Sequence, residues 1–116
     1  MGNGTRLAVP SPRAARLKGR EMCLRHVYFN LGPGKRTAAQ ALEAEIGPLI
    51  RSQPGCAGAT FFGDDTDGQY RIFVLWDTRA HADAAAAVVG PRLERHLAGN
   101  VTTNPTRRLF EVIGAP

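Results

Sequence analysis

Apolar positions along the chain fall into six segments. Residues 22–31 alternate with period two: Cys23, Arg25, Val27, Phe29 and Leu31 share one side, and Leu24, His26, Tyr28 and Asn30 the other, which reads as a strand. Gly32-Pro33-Gly34 is a turn, and residues 35–53 then carry Ala39, Leu42, Ile46 and Leu49/Ile50 at helical spacing. Gly47-Pro48 lies inside that pattern and predicts a kink or a split-off last turn. Pro54-Gly55 ends the helix, because proline cannot continue one and glycine tolerates the left-handed exit.

Two apolar runs follow, 56–62 and 70–76, separated by the acidic, glycine-containing stretch 63–69. This is the pattern of a β-hairpin. Asp77 and Thr78 are both good helix N-caps, so a second helix is expected over 79–89, interrupted at Gly90-Pro91 and resumed over 92–98. A polar loop leads to a last strand over 107–113. The order βαββαβ implies an α+β, ferredoxin-like domain: a four-stranded antiparallel sheet in the order 4-1-3-2, with both helices on one face. The other face is then bare although it carries large apolar groups, and a two-fold dimer packed sheet against sheet, a dimeric α+β barrel, is the simplest cover.

A chain of 116 residues suits one domain, and 43% hydrophobic with 22% charged residues is a globular composition. The net charge of +5 suggests nucleic acid at first sight. Residues 1–21, however, hold Arg6, Arg13, Arg16, Lys18 and Arg20 against Glu21, so four of the five positive charges lie there. The remainder is almost neutral and has no basic stripe to follow phosphates, so no nucleic-acid partner is expected. Residues 1–21 are expected to be a disordered basic extension preceding a domain over 22–116, with a start at Met22 and a functional basic arm as the alternatives. They lack the apolar core of a signal peptide, and no run approaches a membrane span, so the expectation is a cytoplasmic protein with no membrane partner. Cys23 and Cys56 are expected to be small core residues rather than a disulfide, since they fall on strands that are not neighbours.

Taken together, Pro54-Gly55-Cys56-Ala57-Gly58, the strand closing in Trp76-Asp77-Thr78, the alanine-rich second helix and the terminal Leu109-Phe110-Glu111-Val112 resemble the antibiotic biosynthesis monooxygenase (ABM) family of the dimeric α+β barrel superfamily. The resemblance covers about residues 22–112 and is more specific for fold than for activity. It implies a homodimer and oxygenation of an electron-rich aromatic, such as an anthrone or hydroquinone, without flavin or metal. No dinucleotide fingerprint, P-loop or metal triad is present, and no cofactor is expected. A haem-degrading branch of the same superfamily resembles an Asn on strand one, a Trp in helix two and a later His that ligates iron. Asn30 and His96 stand near two of those positions, but Ala85 stands nearest the Trp.

The expected site follows from the polar side of strand one. His26 is the expected general base and Asn30 the oxyanion donor. Tyr28, Phe62, Tyr70 and Trp76 are the expected aromatic walls, with His96 as a further pocket residue. That arrangement requires the His26 side of the strand to face the helices. The rival reading is a non-catalytic barrel that binds a small metabolite. It would show a filled core between sheet and helices instead of a polar-tipped cavity.

Overall fold

The computed structural model describes residues 22–115; the expectations placed on residues 1–21 lie outside the described residues. The elements are β1 (Cys23–Asn30), α1 (Arg36–Arg51), β2 (Cys56–Asp64), β3 (Gln69–Trp76), α2 (Arg79–Leu97) and β4 (Thr106–Glu111). The four strands form one antiparallel sheet ordered β2-β3-β1-β4, as the βαββαβ pattern implies.

Alternation along the strands assigns the two faces. Val27 and Phe29 of β1, Tyr70, Ile72, Val74 and Trp76 of β3, and the half-buried Ala59 and Phe61 of β2 pack beneath the helices. From the helices, Leu42, Ile46 and Ile50 of α1 and Ala82, Ala85, Val89, Leu93 and Leu97 of α2 meet them. The α2 spacing of three and four residues puts these side chains on one stripe.

The helices differ from expectation at their prolines. Neither Gly47-Pro48 nor Gly90-Pro91 splits its helix; α1 and α2 run continuously through them. A proline disfavours helical geometry in the residue before it by clashing with that residue's Cβ. Both preceding residues are glycine, so that clash is absent and only one backbone hydrogen bond is lost in each helix. Thr78 caps α2, its hydroxyl accepting from the His81 N–H at 3.1 Å.

The opposite face of the sheet carries no helix. Register places Leu24, His26 and Tyr28 of β1, Phe62 of β2, Arg71, Phe73 and Leu75 of β3, and Arg108 and Phe110 of β4 on it. Phe62, Phe73 and Phe110 remain 38–42% exposed. Cys23 and Cys56 are free; each sits across from Trp76, one on either side of β3. Among the described residues no helix is long and apolar enough to cross a membrane.

Candidate active site

The core is not completely filled between α2 and the sheet. An apolar cleft of about 40 Å³ has Val27, Ile72, Val74 and Trp76 as its floor. Its roof is Ala82, Ala85, Ala86 and Gly90, four small residues on α2 that leave the space a larger side chain would occupy. Trp76 is buried, 3% exposed, and supplies the only aromatic surface of the cleft. Two guanidinium groups, Arg25 on β1 and Arg107 on β4, are its only titratable lining.

Their placement follows from the sheet. Arg25 pairs with Leu109 and Val27 with Arg107, so the two arginines are diagonal neighbours on the helix side of adjacent strands. Such positions are about 7–8 Å apart at the backbone. The Arg25 side chain is 22% exposed and reaches Asp83 only at 3.8 Å. Arg107 makes no ion pair among the described residues, and its guanidinium lies 3.3 Å from where a side chain on Gly90 would begin. Beyond Arg107 a wider groove of about 580 Å³ continues between the C-terminal half of α2, the loop after it and β4. Val27, Leu93 and Arg107 line both spaces.

The residues expected to form the site divide between places: His26, Tyr28 and Phe62 share the helix-free face, Phe62 and Tyr70 border a further pocket of about 180 Å³ beside Arg71, and Trp76 lines the cleft. His26 and Tyr28 lie on the helix-free face, because the side of β1 that turns under the helices is the one carrying Cys23, Arg25, Val27 and Phe29. His26 Nε2 is 3.1 Å from an Arg71 guanidinium nitrogen, which fixes it as the acceptor, and the ring stands edge-on to Phe73. Burial, then Arg71 and Arg108, push the His26 pKa below its usual value. Arg71 also lies over the Tyr28 ring, 4.8 Å from its centroid. Phe62 shares that face, edge-on to Phe73.

Both ends of the Asn30 amide are taken up by backbone: Oδ1 accepts from the Gly32 N–H at 2.7 Å, and Nδ2 donates to the Asp67 carbonyl at 3.3 Å. Tyr70 is buried on the helix side, stacked on Phe29, and its hydroxyl donates to Asp65 at 3.3 Å. Burial and Asp65 raise its pKa. His96, in the last turn of α2, points at α1, with Nε2 3.0 Å from Glu45, and does not line the cleft. Among the described residues no cluster of three His, Cys, Asp or Glu side chains could hold a metal ion. Of the seven expected residues only Trp76 lines the cleft.

Arg25 and Arg107 were missed by sequence reasoning. Arg25 was visible as the one cation on the otherwise apolar side of β1, whereas Arg107 becomes its neighbour only through the β1–β4 register.

The family model for antibiotic biosynthesis monooxygenases matches residues 22–87, more than half of the chain. The chain belongs to the antibiotic biosynthesis monooxygenase family. No curated protein matches the sequence. Among solved structures, this ABM domain is similar to SnoaB, a cofactor-independent oxygenase from Streptomyces nogalater, at 18% identity and TM-score 0.65, covering 82% of this chain and 95% of SnoaB. A protein of unknown function from Nitrosomonas europaea matches at 16% identity and TM-score 0.71, covering 84% of this chain and 94% of that one. Rv0793 from Mycobacterium tuberculosis matches at 16% identity and TM-score 0.64, covering 81% and 97% respectively. At these identities the likeness establishes that the ABM domain has the same fold, and nothing finer.

Proposed function

We propose that the protein is a cofactor-independent monooxygenase that seats the ring edge of a flat, electron-rich hydroxyaromatic in the cleft between α2 and the sheet, with the rest of the molecule in the adjoining groove. The observation that carries the reading is the half-buried Arg25 guanidinium in the wall of a cleft whose lining, Arg107 at its mouth apart, is apolar. In such surroundings a fixed cation favours the anion of a weakly acidic ligand far more than it would in water. The family membership and the likeness to SnoaB support the reaction type.

The chemistry balances without a further oxidant. The substrate loses a proton from an activated ring methylene to solvent water at the mouth of the cleft, and Arg25 stabilises the resulting anion. The anion gives its electron pair to O2, forming a C–O bond and, after protonation, a hydroperoxide. The O–O bond then breaks with loss of water, so that CH2 and O2 become C=O and H2O. Trp76 offers the flat wall, and the alanine roof closes the helix side of the cleft with apolar surface. His26 has no part in this reading, since it lies on the other face of the sheet. A second copy of the chain is proposed to cover that face, burying Phe62, Phe73 and Phe110.

Oxygen uptake by metal-stripped protein, measured against a panel of anthrones, which carry the ring methylene, is the test. Uptake above the uncatalysed rate that falls at least tenfold in Arg25→Met is the expected result. Uptake that is absent, or unchanged in Arg25→Met, would overturn the assignment. One observation favours a second reading, a barrel that binds a metabolite without transforming it: the cleft holds no side chain able to take the proton. Saturable binding of the same aromatics with no uptake would select it.

A further inference from the structure

Arg107 stands where the inner cleft and the outer groove meet, whereas the cleft's other arginine, Arg25, lines the inner cleft alone. Three facts isolate Arg107. It is exposed, on the last strand of the sheet. Glu94 lines the same outer groove yet makes no ion pair with it. The other two residues shared by both spaces, Val27 and Leu93, are apolar. A guanidinium without an ion-pair partner among the described residues, beside Gly90 and facing a groove that also holds Arg95 and Asn104, is a receptor for a carboxylate. The inner space of about 40 Å³ takes the edge of a ring and no more, so a ligand that enters it must continue past Arg107 into the groove of about 580 Å³.

We infer that the ligand is an acid: a hydroxyaromatic whose ring edge occupies the inner cleft and whose permanent carboxylate, carried on the part lying in the outer groove, is bound by Arg107. The inference rests on the proposed use of the cleft and adds to it the charge and the length of the ligand. Arg25 and Arg107 then divide the work. Arg25 meets the anion that forms during the reaction, and Arg107 meets the one the ligand already carries. A neutral analogue of the same shape leaves Arg107 hydrated, and so loses binding without losing fit to the ring site.

Titration calorimetry with 6-hydroxy-2-naphthoic acid and its carboxamide tests this without requiring turnover. The acid is expected to bind about tenfold or more tightly than the amide, as a charge-assisted hydrogen bond implies. In Arg107→Met the two affinities should converge to within about twofold through loss of the acid's advantage alone, and Arg107→Lys should restore part of it. Equal affinities in the unaltered protein, or a preference that survives Arg107→Met, would overturn the inference. Binding of neither compound would overturn it together with the cleft as the site. Preferential binding of the acid without oxygen uptake would leave the inference standing and remove the oxygenase reading. Equal turnover of neutral and acidic substrates would do the reverse.

Discussion

Replacing Gly68 by alanine tests how the end of the sheet is held together, and Gly99→Ala supplies its control. Both glycines are left-handed, with φ of +77° and +76°. Around Gly99 an added Cβ meets open space, so Gly99→Ala isolates the cost of forcing an L-residue into that conformation, about 1 kcal/mol. At Gly68 an added Cβ would fall on the backbone of Gly32. That backbone cannot swing aside as a flexible side chain would. Gly68 is also held from both ends: its N–H donates to the Asp64 carbonyl at 2.8 Å, and its carbonyl accepts from the Leu31 N–H at 2.9 Å. Separating the two loops adds an overpacking cost of about 1–3 kcal/mol. Stretching the Leu31–Gly68 bond adds about 1 kcal/mol more. The expected total is about 3–5 kcal/mol, a large share of the roughly 5–15 kcal/mol that stabilises a domain. Followed by circular dichroism on heating, Gly99→Ala should lower Tm by about 4–8 °C and Gly68→Ala by about 15 °C or more. A Gly68→Ala loss no larger than that of Gly99→Ala would refute the argument from backbone contact.

Three further outcomes follow from the site and the faces of the sheet. Ala85→Leu places a branched side chain in the cleft roof; it should abolish ligand binding and oxygen uptake at a stability cost of about 1–3 kcal/mol, and unchanged uptake would move the site elsewhere. Phe73→Lys sets a charge at the centre of the helix-free face; by sedimentation the unaltered chain should run as the proposed dimer and this variant as a monomer, and a monomeric unaltered chain would refute the proposed cover of that face. The lowered His26 pKa means that the unfolded chain takes up a proton first as pH falls. Stability measured by urea denaturation should therefore decline as pH drops through about 6.5, the ordinary histidine value, and level off below the folded-state value; His26→Gln should remove that contribution.

The sheet was legible because its signals are local: period-two alternation in β1 and β3, an acidic turn between two apolar runs, and a capping Thr78 before the alanine-rich helix. The side of β1 facing the helices was harder to read, because both sides of the sheet carry large apolar residues. Phe73 and Leu75 look outward as plausibly as Ile72 and Val74 look inward. Hydrophobic count cannot choose between such faces; the positions of the helices do. His26, Tyr28 and Asn30 stood out as polar groups on one side of the strand; in the structure they contact Arg71 and the turn backbone. Arg25 and Arg107 were unreadable as a pair because a β1–β4 register spans about eighty residues of sequence and leaves no mark in either strand alone.

The unbroken passage of α2 through Gly90-Pro91 gives the cleft roof a built-in seam. Pro91 has no N–H, so the Ala87 carbonyl on the exposed side of the helix has no donor four residues on and turns to water. The seam falls where the roof of the inner cleft, at Gly90, gives way to the outer groove, at Pro91. The two sides of the seam are nevertheless held alike: Ala82, Ala85 and Val89 anchor the N-terminal part, and Leu93 and Leu97 in the core, with His96 against Glu45 of α1, anchor the C-terminal turns. The roof thus crosses from the cleft to the groove as one rigid edge that lacks a single hydrogen bond at the crossing.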